Sequence, residues 1–64
     1  LDLARQAGAR QTEAQLQRIQ GEIELRRGDR AAARALLEES ARTLRELGEV
    51  AELRRTEAVL ATLG

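Results

Sequence analysis

Apolar residues recur along this chain at intervals of three and four residues, the period of an α-helix that buries one face. The large apolar positions between residues 12 and 23 are Leu16, Ile19 and Ile23. Thr12 and Gln15 precede and enter this pattern at the spacing of a capping box, which satisfies free N–H groups at a helix start. We therefore predict a helix over residues 12–27.

Residues 1–8 carry a shorter helical pattern that stops at Gly8, a residue suited to the left-handed backbone that follows a helix end. We predict that they form the tail of a separate helix. The next boundary falls at Gly28 and Asp29. Glycine can take the position after a helix, and the Asp29 carboxylate can cap the N–H groups of the helix that follows.

A third apolar stripe predicts a helix over residues 30–47. Its positions are Ala33, Leu37, Ser40, Leu44 and Leu47. Gly48 supplies another stop signal, and a looser apolar pattern follows it as far as Leu63. Gly48 either ends the helix or lies inside one long helix at a cost of about 1 kcal/mol.

No segment alternates with period two, so the predicted fold class is all-α. The short Gly28-Asp29 junction predicts that the helices at 12–27 and 30–47 form an antiparallel hairpin. We expect the hairpin to bury six side chains, three from each helix: Leu16, Ile19 and Ile23 against Ala33, Leu37 and Leu44. Gly21 has no side chain, and with Ala33 opposite it should let the two helices approach closely.

Composition narrows the chemistry available to a chain of 64 residues. The chain contains no Cys and no His, so it lacks disulfides and the usual soft ligands of zinc, iron and copper. It has no aromatic residue, and its 11 basic residues, all arginine, balance 11 acidic ones. We therefore expect no cofactor, no metal site and no nucleic-acid partner.

No apolar run approaches the roughly 20 residues needed to cross a bilayer, and no signal-peptide pattern is present. We expect a soluble protein without a membrane partner, and we place it in the cytoplasm. The chain begins at Leu1 and stops just after an apolar run. We expect from this that it is a piece of a longer protein.

Candidates for catalysis are few. Ser40 and Thr43 have no His, Lys or Cys to activate them. Ser40 lies on the apolar stripe, where its hydroxyl should bond a carbonyl one turn back in its own helix. Glu38 and Glu39 point in different directions around the helix and make a poor acid-base pair. We therefore predict that the chain has no catalytic residues and is not an enzyme.

Arg27-Gly28-Asp29 spells the tripeptide that integrins bind on adhesive ligands. Its glycine and aspartate are already assigned to ending one helix and starting the next. We interpret the tripeptide as a turn, with adhesion as the less favoured alternative.

Two phrases recur along the chain. QTEAQLQRI at 11–19 returns as RTEAVLATL at 55–63, and RQAG at 5–8 returns as RELG at 45–48. An internal repeat of roughly 40 residues is characteristic of helical arrays. With Gly21 at the helix crossing and Ala33 in the second helix, the chain resembles the tetratricopeptide repeat (TPR) family, of the kind found in large bacterial regulators and scaffolds.

The resemblance also rests on Gly28-Asp29 at the turn inside the repeat and on Leu37 at a large apolar position. It covers residues 14–47 as one full repeat, with parts of two neighbouring repeats on either side. The chain differs from the family pattern where larger apolar or aromatic residues are usual, at Gln17, Gln20 and Glu24, and it lacks the terminal proline.

The resemblance implies that the first helix of the hairpin lines a groove that binds a partner. The positions that match the groove-facing ones are Gln15, Arg18, Glu22, Leu25 and Arg26. Arginine side chains there would bind the carboxylates of an acidic peptide. The alternative interpretation of Arg18, Glu22 and Arg26 is a solvated row of ion pairs at i,i+4 spacing.

We hypothesise that residues 1–64 form a single helical-repeat segment, a non-catalytic protein-interaction or scaffold module of a larger repeat protein. Each such hairpin hides only one face, so we expect exposed apolar edges that dock onto more protein or onto another copy. The alternative is a self-associating helical hairpin that acts as a structural oligomerisation element.

Overall fold

Three α-helices account for nearly all of the described chain. The computed structural model describes the backbone of residues 2–63 and the side chains of residues 6–63. The helices are α1 (Asp2–Arg27), α2 (Arg30–Leu47) and α3 (Val50–Ala61). No strand occurs in residues 2–63, so the predicted all-α class is confirmed.

The first helix is longer than predicted, because α1 runs without a break through Gly8 and Thr12. The predicted helix end at Gly8 and the helix start at Thr12 are therefore wrong. The Thr12 hydroxyl donates to the carbonyl of Gly8 at 3.0 Å, one turn back, and does not cap a helix. An internal glycine costs only about 1 kcal/mol, whereas starting a second helix repeats the unfavourable nucleation step.

The turn between α1 and α2 is the one that the sequence predicts. Gly28 has a φ of +89°, in the left-handed region that favours glycine. The N–H of Asp29 donates to the carbonyl of Glu24 at 2.9 Å, which closes the end of α1. The Asp29 carboxylate then accepts from the N–H of Ala32 at 3.0 Å and caps the start of α2.

Replacing Asp29 with alanine should lower the free energy of unfolding by about 1 kcal/mol, because the N–H of Ala32 loses its acceptor. Asp29→Asn keeps an acceptor oxygen and is the matched control. Urea denaturation followed by circular dichroism measures both variants. Equal stability of Asp29→Ala and the original chain would contradict the capping role.

Gly48 ends α2 in the same way. Its φ is +73°, its N–H donates to the carbonyl of Arg45 at 3.2 Å, and the N–H of Glu49 donates to the carbonyl of Leu44 at 2.9 Å. These paired bonds satisfy carbonyls that the helix end would otherwise leave free. Of the two alternatives for Gly48, the helix end is therefore the correct one.

The central helix is α2, which packs against α1 on one side and against α3 on the other. Its buried face consists of Ala33, Leu37, Ser40, Ala41 and Leu44. The helix α1 contributes the buried residues Ala14 and Gly21, and the segment from α3 onward contributes Thr56 and Leu63. The helices α1 and α3 touch at only a few points.

Close approach of α1 and α2 depends on Gly21. A Cβ placed there would lie 2.8 Å from Cγ of Leu37 and 3.4 Å from the carbonyl oxygen of Ala33. The first distance is shorter than any ordinary contact, so only glycine leaves room for the fully buried Leu37. The predicted crossing at Gly21 and Ala33 is confirmed.

The large apolar residues of α1 do not face α2, contrary to the prediction. Leu16 is 54% exposed, and Ile19 and Ile23 are each 45% exposed. Ala14 and Gly21, seven residues apart, occupy the buried face of α1 instead. Small residues let the helix axes come close, whereas the three large side chains point away from α2.

Ser40 is buried at the contact between α1 and α2. Its hydroxyl donates to the carbonyl of Ala14 on α1 at 2.7 Å. The expected bond to a carbonyl one turn back in α2 is therefore replaced by a bond between helices. Because the hydroxyl is satisfied there, its burial costs little.

The chain after α3 is tied back to the start of α2. The guanidinium groups of Arg30 and Arg34 donate to the carbonyl of Leu63 at 3.0 and 3.1 Å. The Leu63 side chain joins Ala33 and Leu37 in the apolar core. The end of α3 therefore lies beside the start of α2, and the two helices run antiparallel.

Candidate functional site

Three of the four exposed large apolar side chains of the described residues lie on one surface of α1. Leu16, Ile19 and Ile23 lie three and four residues apart, so they form a continuous row along the helix. We call this row the outer face of α1. Val50 is the only other large apolar residue in the described part that is equally exposed, and it lies on α3.

A shallow concavity runs beside this row. It is lined by Arg18, Ile19, Glu22, Ile23 and Arg26, all from α1. We call it the α1 concavity. Its walls combine two apolar side chains with one carboxylate and two guanidinium groups, a mixture suited to anchoring a peptide through both apolar and charged contacts.

Arg18 is held in place by two carboxylates. Its guanidinium lies 2.5 Å from Glu22 on α1, and its Nε lies 3.9 Å from Glu52 on α3. Its side chain is only 15% exposed. Its buried Nε makes no hydrogen bond, so Glu22 is its direct partner, and the contact with Glu52 is a longer charge attraction between α1 and α3.

Arg26 is the more available of the two arginines. It is exposed, and within the described side chains it forms no ion pair. It stands at the end of the concavity nearest the C-terminus of α1. A carboxylate of a partner would meet an uncommitted guanidinium there.

The structure brings together three of the five predicted groove residues. Arg18, Glu22 and Arg26 line the α1 concavity. Leu25 is partly buried against the core cluster, so most of its surface is already used inside the molecule. Gln15 is half-buried and does not line the concavity.

Sequence reasoning missed Ile19 and Ile23 as site residues, because it assigned them to the core. Their helical spacing was recognised correctly. The signal that could have shown this is the pair of small residues, Ala14 and Gly21, on the opposite side of α1. Small residues on one side of a helix can mark a close contact with another helix, just as large apolar residues can mark a buried side.

Comparison with family models, curated protein sequences and solved structures gives no match to this chain. Its function must therefore be inferred from the geometry of α1 and its neighbours.

The remaining charges are mostly arranged as exposed ion pairs. Arg10 pairs with Glu46 between α1 and α2, and Arg45 pairs with Glu57 at 3.4 Å between α2 and α3. Glu39 accepts from Arg42, and this bond together with the charge of Glu39 raises the pKa of Arg42 above its usual value. Exposed pairs of this kind contribute little to stability.

Within residues 6–63, nothing favours a metal site, a catalytic serine or an adhesion site. No group of three His, Cys, Asp or Glu residues in that range is close enough to hold a metal ion. The Ser40 hydroxyl is buried and committed to Ala14. The carboxylate of Asp29, in the integrin-like tripeptide, is engaged in capping α2. Among the described helices, none is long and apolar enough to cross a bilayer.

Proposed function

We propose that this chain is a non-catalytic protein-interaction module that binds a segment of another protein along α1. The observation that carries the proposal is the exposure of Leu16, Ile19 and Ile23 as one continuous row. Scattered apolar residues are normal on a protein surface, but a contiguous row beside a polar concavity is typical of a contact surface.

The chemistry of the α1 concavity favours a helical or extended segment that carries apolar anchors and a carboxylate. Apolar side chains of the partner would cover Ile19 and Ile23. A carboxylate would meet the exposed Arg26, because Arg18 is already paired with Glu22 and Glu52. A short acidic amphipathic helix has both features.

We also propose that the hairpin is a TPR-like repeat unit of a larger cytoplasmic scaffold. The support comes from five residues that the resemblance singles out. Gly21 permits the close crossing, Ala33 and Leu37 are buried opposite it, and Gly28-Asp29 makes the turn. In a repeat array, each repeat packs only against its neighbours along the chain.

A selection of displayed helical peptides against the immobilised chain tests the binding function. The library carries random apolar and acidic positions on one helical face. We expect enriched peptides with apolar residues at i, i+3 or i+4 and i+7, together with an acidic residue that faces Arg26. Ile23→Glu should weaken their binding by about tenfold or more, because it places a carboxylate in the apolar contact.

Ala58→Glu is the matched control, because it adds the same charge at an exposed position of α3, away from the α1 concavity. Peptides that bind both variants equally would show that α1 is not the binding element. Circular dichroism of each variant establishes that its helix content is unchanged.

A further inference from the structure

We infer that the outer face of α1 also pairs with the same face of a second copy of this chain, with the two α1 helices antiparallel. This inference rests on the proposed function, since it uses the same surface, and it names the partner as the chain itself. The apolar row and the charges along its edges favour this partner and this orientation.

The apolar row fits itself when the helices run in opposite directions. Ile19 of one copy packs against Ile23 of the second copy, and by symmetry the reverse contact forms as well. Leu16 then lies opposite Arg26 of the second copy. The methylene stem of an exposed arginine can cover a leucine while its guanidinium stays in water.

The charges on one edge of the outer face select the antiparallel direction. Glu13, Gln20 and Arg27 are all exposed and are spaced by seven residues, so they follow the same edge of the row. Antiparallel pairing places Glu13 opposite Arg27 of the second copy, twice in each dimer. Parallel pairing would instead set this edge against the opposite edge of the second copy, where Glu13 finds no basic partner and Arg27 approaches Glu22, which is already paired with Arg18.

Both charged residues are available for this contact. Glu13 forms no ion pair within residues 6–63. Arg27 has one partner, Glu24, at 3.7 Å, and its side chain is 71% exposed. Gln20, midway between them, would meet Gln20 of the second copy, and this neutral pair introduces no repulsion.

The opposite edge of the row carries Glu22, which would approach Glu22 of the second copy. The repulsion there is reduced because each Glu22 is paired with Arg18 at 2.5 Å. Arg18 is in turn close to Glu52 of α3. The like-charge contact is therefore between two groups that are already largely neutralised, and it does not offset the Glu13–Arg27 pairs.

The contact is small, so the dimer should be weak. Three large side chains from each copy make an interface near the low end of the sizes seen for transient complexes. Sedimentation equilibrium of the whole chain should therefore cover concentrations from about 10 µM to about 1 mM. We expect a reversible equilibrium between monomer and dimer in that range.

Charge-reversal variants test the register. Glu13→Arg and Arg27→Glu should each weaken self-association by about tenfold, because each turns two attractive pairs into repulsive ones. An equimolar mixture of the two variants should form a heterodimer, in which both pairs are attractive again. The double variant Glu13→Arg/Arg27→Glu should recover the original affinity. Raising the salt concentration should reduce all of these differences.

Ile23→Glu should abolish the dimer, whereas Ala58→Glu on α3 should leave it unchanged. A chain that remains monomeric up to the highest concentration would overturn the inference, and so would a dimer that tolerates Ile23→Glu. Single charge variants that associate as tightly as the original chain would overturn the antiparallel register. A chain that stays monomeric still leaves the α1 concavity free for the peptides of the selection described above, so the two proposals fail separately.

Discussion

Replacing Leu37 with alanine is expected to lower the free energy of unfolding by about 2–5 kcal/mol. Leu37 is fully buried, contacts the backbone at Gly21, and belongs to the cluster formed with Ala33 and Leu63. Its truncation leaves a cavity where all three helices contribute to the core. A domain of this size has only about 3–5 kcal/mol of core stability, so the variant should be largely unfolded at room temperature.

Leu16→Ala is the matched control for Leu37→Ala. Both leucines belong to the core that the apolar pattern predicts, but Leu16 is 54% exposed. Its truncation should cost less than about 1 kcal/mol, because little of its surface leaves water on folding. Urea denaturation at a low chain concentration, where self-association does not contribute, measures both variants. Similar losses would contradict the observed orientation of α1.

Alanine at Gly21 and alanine at Gly8 should change stability in opposite directions. At Gly21 the added Cβ would lie 2.8 Å from Cγ of Leu37, and overpacking of this kind typically costs about 1–3 kcal/mol. The better helix propensity of alanine recovers about 1 kcal/mol. We expect a net loss of about 1–2 kcal/mol for Gly21→Ala.

Gly8→Ala should raise the free energy of unfolding by up to about 1 kcal/mol. Gly8 is exposed inside α1, and a Cβ there would meet no atom within 4 Å, so only the helix propensity changes. Thermal unfolding of both variants gives the comparison. Stabilisation by both alanines would mean that α1 and α2 do not approach closely at Gly21.

The helix boundaries are predicted correctly where a glycine that can end one helix is followed by a side chain that can cap the next. At Gly28 the next residue, Asp29, is a strong helix cap, and both functions are realised. At Gly8 the following residues favour a helix, and no cap is formed, because Thr12 donates to the carbonyl of Gly8. A glycine alone therefore does not determine whether a helix stops, since its cost inside a helix is small.

The direction in which α1 faces could not be predicted from periodicity. Helical spacing groups residues on one side of a helix, but it does not say which side meets the core. The buried side of α1 also carries polar residues, which made it look exposed in the sequence. Gln17 has a buried carbonyl oxygen without a hydrogen-bond partner, and Arg18 is only 15% exposed. The short distance between Gly21 and Leu37 shows that this side of α1 is the one in contact with α2.

The candidate site was predicted in part for the same reason. Arg18, Glu22 and Arg26 were placed correctly relative to one another, because their spacing of four residues fixes them on one strip of the helix. The apolar half of the concavity was missed, since Ile19 and Ile23 had been assigned to the core. Leu25 packs against a core cluster that includes Leu63, 38 residues away along the chain, so its burial has no local signal.

The bonds from Arg30 and Arg34 to the carbonyl of Leu63 imply that α3 folds onto α2 and not on its own. The helix α3 has 12 residues, too few to be stable alone in water, and it depends on α2 for its packing and for the bonds from Arg30 and Arg34. The pair α1 and α2 needs no such help for its turn and its crossing. Separation of α3 would therefore expose Ala33 and Leu37, which share the core cluster with Leu63, although the turn at Gly28 and Asp29 keeps its own hydrogen bonds.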